Sequence, residues 1–299
     1  YETYAKAKTV GEALKLGSWP ADWCYDYEHG FIQVHGPVSD EPIDISKVEN
    51  PKDLTEVDRV ISQWFRKELA KRYNLKLADL VLEKGGNESI LMRAHRLVAE
   101  RRSVEILGRA SAERRPVTDG EVEEVMTAWA FAKNAARVNV MREGQRWVWS
   151  DTIGLIRNRC GEIHLTTPTK RYPSFVRVIC QWLTDRLPPE VSAFKFTSLN
   201  LNSNYAAQRH RDGNNFGPSM IKAFGPFTGG ELSVFPEDDK STQLEKLQDK
   251  DKVTLNIRDN LAMFNGNSAH EVRDFSGGNR FSIVYFTIGC HAKAEASDM

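Results

Sequence analysis

Cysteine is scarce: Cys24, Cys160, Cys180 and Cys290 are the four in 299 residues. None makes a Cys-x-x-Cys pair, which excludes a zinc ribbon and a thioredoxin-type redox motif. Their spacing suggests no disulfide framework, so reduced thiols in a nuclear or cytoplasmic compartment are expected. No apolar run approaches the roughly 20 residues of a membrane-spanning helix. No signal-peptide h-region opens the sequence at Tyr1. No internal repeat of 20–50 residues is visible. Net charge is also missing, since 41 basic side chains balance 41 acidic ones. That balance hides blocks: residues 1–58 carry −7, 59–115 carry +7, 116–156 carry −2, 157–211 carry +6 and 212–299 carry −4. Neutrality excludes a chain that attracts polyanions everywhere, yet two basic blocks remain. They are either solvated helix faces or a track for a nucleic-acid backbone.

What is present suffices for one large domain or two ordinary ones, at 40% hydrophobic and 10% aromatic residues. The first 146 residues read as mostly helical. Helical spacing predicts Thr55–Tyr73, and Glu88–Leu107 with a stop at Gly108. A third helix, Asp119–Met141, is capped by Thr118 with Glu121 as its capping-box partner. Gly30–Asn50 reads as loop with room for one short strand. Residues 147–299 change texture. Short strands are predicted at Trp147–Trp149, Thr152–Ile156 and Glu162–Leu165, then a helix at Tyr172–Leu187 ended by Pro188-Pro189. Strands follow at Phe194–Tyr205, Ser219–Phe224, Glu231–Phe235, Val253–Ile257, Leu261–Phe264 and Phe281–Ile288, with Gly- and Asn-rich turns between them. An α+β chain with a jelly roll at its C-terminal end is the expected architecture. Trp147, Trp149 and Trp182 read as core or interface aromatics.

Chemistry concentrates in one pattern. His210 and Asp212 stand two apart and share a face on an extended strand. Chance alone would yield about one His-x-acid pair in this chain. The rest of the pattern lifts it. His270 follows the strand ending at Phe264, and ten residues later Arg280 opens an apolar strand with Ser282 in phase. Two histidines and a carboxylate give three ligands on one face of an iron(II) ion and leave three positions open. A guanidinium beside a hydroxyl suits a carboxylate, which Arg binds in a fork. Arg273 rivals Arg280 by position; Arg280 is preferred because it shares phase with Ser282. His29, His35 and His164 have no partners at ligand spacing, His95 falls on a basic helix face, and His291 trails the last strand.

Residues 194–290 resemble the iron(II)/2-oxoglutarate-dependent dioxygenases. The likeness lies in Tyr205, His-x-Asp (His210 to Asp212), Gly-Gly-Glu-Leu (Gly229 to Leu232), His-x-Val (His270 to Val272) and Gly-x-Arg-x-Ser (Gly278 to Ser282). It implies a double-stranded β-helix in residues 147–299, with Fe(II), 2-oxoglutarate and O2. His210, Asp212 and His270 are then the iron ligands, and Arg280 holds the 2-oxoglutarate carboxylate, with Ser282 and Tyr205 assisting. Tyr205 is equally readable as core. An intact Asp212 implies hydroxylation or demethylation rather than halogenation. His210-Arg-Asp-Gly-Asn-Asn-Phe-Gly-Pro-Ser further resembles the TET/JBP group and an algal branch of it, which oxidise the 5-methyl of cytosine or thymine. On that likeness Asn214, Asn215 and Phe216 meet the substrate base, in DNA or RNA. Their bland readings are turn residues and packing. The algal likeness leaves ascorbate open in place of 2-oxoglutarate. No cysteine-rich module like that of animal TET proteins is seen. Competing expectations are a hydroxylase of a small molecule or protein side chain, and a binding module with a degenerate site.

Overall fold

The strand-rich part of the chain is organised by where its backbone hydrogen bonds can close. The computed structural model describes residues 6, 7, 16 and 88, and residues 90–294 except 159 and 214. The expected helix Thr55–Tyr73, the loop Gly30–Asn50 and Asn214 lie outside the described residues. The chain divides into two compact units, residues 1–99 with 128–130 and residues 100–127 with 131–299. Among the described residues no helix is long and apolar enough to cross a membrane.

Helix α1 (Ile90–Glu113) runs past Gly108, contrary to the expected stop. It ends instead where Arg114 turns left-handed at φ 51, with Arg115 N–H reaching back to the Ala110 carbonyl. That bond satisfies a carbonyl the helix end would leave open. Helix α2 (Asp119–Ala128) has the expected capping box. Glu121 N–H donates to Thr118 Oγ1 at 3.2 Å, and Thr118 N–H donates to Glu121 Oε2 at 2.9 Å. It stops thirteen residues short of the expected Met141, because the following backbone is captured by strand pairing. Ala132 N–H donates to Asp151 and the Ala132 carbonyl accepts from Ser150 N–H. Strand β1 (Lys133–Asn134) then pairs antiparallel with β2 (Val148–Arg157). The two short strands expected around Trp149 and Thr152 are thus one strand of ten residues.

β3 (Ile163–Leu165) folds back on β2. Helix α3 (Thr167–Arg171) is not among the expected elements; α4 (Pro173–Thr184) lies within the expected Tyr172–Leu187 and ends three residues early, and each helix has proline in its first turn. α4 buries Phe175, Val178, Ile179, Trp182 and Leu183, the face its spacing predicts. Glu100 caps α4, its carboxylate accepting from the Ser174 and Phe175 amides at 2.9 and 2.8 Å. Strands β4 (Ser198–Ser203), β5 (Ser219–Phe224), β6 (Thr228–Gly229), β7 (Leu232–Val234), β8 (Val253–Leu255), β9 (Ala262–Phe264), β10 (His270–Val272), β11 (Phe275–Ser276) and β12 (Phe281–Phe286) follow.

The large antiparallel sheet has the order β1-β2-β4-β12-β5-β9, with β3 attached to β2. The last strand, β12, is inserted between β4 and β5. A three-stranded sheet, β10-β7-β8, and the small pair β11-β6 complete the set. Ile221, Ala223 and Phe264 from the large sheet and Leu232 and Val272 from the three-stranded sheet share one apolar cluster, together with Tyr205 and Phe227. Alternation along β4 and β12 sets the opposite pattern at one end of that core. There Asn202, Ser282 and Arg280 are buried together. Trp182 is core, edge-on to Phe224 at 5.1 Å. Trp147 and Trp149 are not: each is 40% exposed, and they flank the Lys133 ammonium at 4.7 and 5.6 Å.

Candidate metal centre

His210 and His270 arrive from distant chain segments and are fastened by a two-hydrogen-bond bridge. Each donates its backbone N–H to the other's carbonyl at 2.9 Å. Asp212 sits beyond the bridge in irregular backbone rather than on the expected strand, held by its N–H to the Gly266 carbonyl at 2.9 Å. The side chains still converge as the i, i+2 spacing predicts. His210 Nε2 lies 3.6 Å from Asp212 Oδ1, and His270 Nε2 lies 4.0 Å from Asp212 Oδ2. One ligand atom from each of the three falls within 4.8 Å of the others.

The imidazoles are oriented alike. His210 Nδ1 meets the Gln208 carbonyl at 2.8 Å, and His270 Nδ1 meets the Ser268 carbonyl at 2.9 Å. A carbonyl only accepts, so Nδ1 carries the proton in both rings. Both Nε2 lone pairs then face Asp212, the arrangement metal-binding histidines adopt. Burial first, and the neighbouring His270 second, push the His210 pKa well below the usual imidazole range. A neutral ring is what a metal needs. The donor set of two nitrogens and one carboxylate oxygen, with the remaining directions open to a cleft, fits Fe(II).

Salt bridges brace the ligands from outside. Arg209, next to His210, pairs with Glu271, next to His270, at 3.0 Å. Arg211, between His210 and Asp212, gives two bonds to Asp238 at 2.7 and 2.5 Å. The other lone pairs of Asp238 accept from Ala269 N–H, adjacent to His270, at 2.6 Å and from Lys240 N–H at 3.1 Å. Arg211 holds the Asp238 carboxyl down to about 2. Gly266 leaves room for the site: a Cβ there would stand 2.8 Å from Asn215 Nδ2 and 3.2 Å from Asp212 Oδ2, so one of those side chains would have to shift.

A small cleft of about 40 Å³ opens from the triad. Tyr205, Arg280 and Ser282 line it with the three ligands, along with Arg137, Asn200 and Asn202. Arg280 is 1% exposed. Its Nη2 donates to the Gly230 carbonyl at 3.1 Å, whereas its buried Nε has no hydrogen-bond partner among the described residues. Burial lowers its pKa to about 10, so it stays cationic at neutral pH. The guanidinium lies over the Phe227 and Phe275 rings, which add weak cation–π contacts. A buried cation without a carboxylate is costly unless an anion joins it. Arg273 is exposed, and among the described residues its side chain pairs with Glu231, at 3.9 Å, which separates it from Arg280.

Tyr205 belongs both to the core and to the cleft wall. Its hydroxyl donates to Asn202 Oδ1 at 2.6 Å, and Asn202 Nδ2 reaches Ser282 Oγ at 3.4 Å. Asn202 was not singled out in the sequence. Its signal is a polar side chain in phase with Asn200 on a strand whose other face is Leu199 and Leu201. Asn215 Nδ2 lies 3.4 Å from Asp212 Oδ2. Phe216 is 63% exposed and lies outside the core, its ring 5.2 Å from that of His291.

No family model matches the chain, and no curated protein matches it. Several solved structures resemble part of it. NgTET1 in complex with 5mC DNA is 17% identical with a TM-score of 0.31, covering 46% of this chain and 60% of that one. The chain therefore spans less than two thirds of that structure. An oxidoreductase of the 2OG-Fe(II) oxygenase family from Burkholderia pseudomallei is 17% identical, TM-score 0.33, covering 50% and 70%. A Pseudomonas putida prolyl-4-hydroxylase is 16% identical, TM-score 0.30, covering 64% and 87%. At these scores the likenesses carry no weight for activity, which has to be read from the residues of the cleft.

Proposed function

We propose that the chain is an Fe(II)- and 2-oxoglutarate-dependent dioxygenase with a double-stranded β-helix core, acting on the 5-methyl group of cytosine or thymine in DNA or RNA. One observation carries the oxygenase reading: a His-Asp-His triad with both Nε2 atoms turned inward shares a cleft with a buried guanidinium that has no anion. His210, Asp212 and His270 would hold the iron. The Arg280 guanidinium would take the distal carboxylate of 2-oxoglutarate, with Ser282 as a second donor and Tyr205 fixed through Asn202. Ascorbate, the alternative reductant, has no carboxylate for Arg280. Bound iron supplies a site where O2 oxidises the 2-oxo acid to succinate and CO2 while the second oxygen atom enters a C–H bond. The protein excludes water and sets the order of approach, because the co-substrate is held at the buried end and the substrate must enter from the open one.

Phe216 and Asn215 support the base as substrate. An exposed aromatic ring one residue from an amide that reaches Asp212 is a surface on which an extruded base stacks. Asn214 is part of the same proposal. Hydroxylation of a small molecule or protein side chain is the second reading, and one observation favours it. Arg209 and Arg211, the end of the second basic block, are spent on Glu271, Asp249 and Asp238 rather than free for phosphates.

Nucleoside mass spectrometry after incubation with Fe(II), 2-oxoglutarate, O2 and 5-methylated oligonucleotides tests the proposal. Hydroxymethyl nucleoside and succinate in equal amounts are expected. Succinate with no altered nucleoside, in any strand offered, overturns the substrate. No succinate from an iron-loaded chain under any of these conditions overturns the oxygenase.

A further inference from the structure

We propose that Arg137 is an anion subsite at the wall of this cleft, taking a phosphodiester of the substrate strand. The inference rests on the nucleic-acid reading above and gives it a named contact. Arg137 precedes a 3-10 turn, Val138–Val140, that lies between β1 and β2. Two hydrogen bonds from Gln208 pin that turn to the segment leading into His210. Gln208 N–H donates to the Val140 carbonyl at 3.0 Å, and Gln208 Nε2 donates to the Asn139 carbonyl at 3.2 Å. The side chain is half-buried in the cleft wall and makes no hydrogen bond or ion pair among the described residues. Its neighbours contrast with it: Arg142 pairs with Asp274, Arg209 with Glu271, and Arg211 with Asp238. Its charge nonetheless reaches the Tyr205 hydroxyl inside the cleft.

The cleft's charge inventory shows what is left over. Among its lining residues Arg137 and Arg280 are cations and Asp212 is the sole anion, and a histidine that ligates a metal does so as the neutral ring. Fe(II) brings two positive charges and 2-oxoglutarate two negative ones. One positive charge therefore remains after both have bound, and Arg137 is the lining cation with no partner among the described residues. A half-buried guanidinium gains most from an anion that reaches it in a fork. A base drawn out of a strand arrives with a phosphodiester on either side, so the substrate itself brings that anion to the cleft.

The test is fluorescence anisotropy of a labelled single-stranded oligonucleotide containing 5-methylcytosine, over a salt series. Wild type is compared with Arg137→Gln and Arg137→Lys, all loaded with Fe(II) and 2-oxoglutarate without oxygen. The visible absorption of the Fe(II)–2-oxoglutarate complex is read in the same samples. For Arg137→Gln we expect affinity to fall about tenfold and the slope of log K against log salt to fall by roughly 0.7, one phosphate contact on a single strand. Arg137→Lys should keep the slope, and the affinity for 2-oxoglutarate should stay at the wild-type value in both variants. An unchanged slope in Arg137→Gln overturns the subsite. A raised Kd for 2-oxoglutarate also overturns it, by placing Arg137 on the co-substrate. A wild type that forms the coloured complex but binds no oligonucleotide overturns the phosphodiester and leaves the oxygenase standing. An Arg137-dependent slope in a chain that forms no such complex does the reverse.

Discussion

Replacing Asp238 by asparagine should loosen the candidate metal centre without touching a ligand. The carboxylate is 1% exposed and joins the segment of His210 and Asp212, through Arg211, to the segment of His270, through Ala269 N–H. Its pKa falls from the ordinary 3.8 to about 2, chiefly through the Arg211 hydrogen bonds. At about 1.4 kcal/mol per pKa step, that depression contributes about 2 kcal/mol of stability at neutral pH. Charge-assisted hydrogen bonds of about 1.5–3 kcal/mol give the same size independently. Asparagine keeps one acceptor for Ala269 but loses the charge that Arg211 needs. The sign follows from the depressed pKa: the stabilisation is complete above about 4 and fades as pH falls through 3.8 towards 2. Urea unfolding of the metal-free chain should therefore show Asp238→Asn about 2 kcal/mol less stable at pH 7, with the gap falling below about 1 kcal/mol by pH 2.5. Metal affinity should fall about 10- to 100-fold, the usual effect of removing a group that orients metal ligands. Equal stability at pH 7, or a gap that persists undiminished at pH 2.5, would refute the role given to the charge.

Further outcomes follow from single contacts. Gly230→Ala places a Cβ 2.7 Å from Arg280 Nε at a φ of +71, so it should raise the Kd for 2-oxoglutarate more than the Kd for iron, as calorimetry would show. Glu121→Gln removes the carboxylate that Arg115 and Thr118 hold down to about 2. It should lower unfolding free energy by about 1–2 kcal/mol at pH 7, the difference fading as pH falls from 4.5 towards 2. Burial pushes the Cys180 thiol up to about 11, and Cys160 is exposed. Peptide mass spectrometry after alkylation of the native chain at pH 8 should find Cys160 labelled well before Cys180.

The triad was legible in the sequence because spacing encodes direction. His210 and Asp212 are two apart, and two-apart residues point the same way wherever backbone is extended, even outside a strand. Arg280 and Ser282 share burial for the same reason. α4 was legible because its buried face repeats at helical spacing. The end of α2 was not, since the period continued past Ala128 while β2 captured the backbone groups of Ala132. Trp147 and Trp149 misled because aromatic size suggests burial, whereas an edge position beside Lys133 leaves them partly in water. The braces, Arg209 with Glu271 and Arg211 with Asp238, join residues 62 and 27 positions apart. Pairings at that separation follow from topology, and the single chain gives no local pattern for them. For the same reason the +6 block overstated the charge available near His210.

The most direct test of the central claim is an oxygen-free titration of wild type and Asp212→Ala with Fe(II) and 2-oxoglutarate, followed by visible absorption and calorimetry. Wild type should take one iron and one 2-oxoglutarate per chain and develop the colour of their complex, and Asp212→Ala should lose both the colour and tight iron binding. Iron binding that is equal in the two chains, or a wild type that binds no iron, would contradict the assignment of His210, Asp212 and His270 as the metal centre.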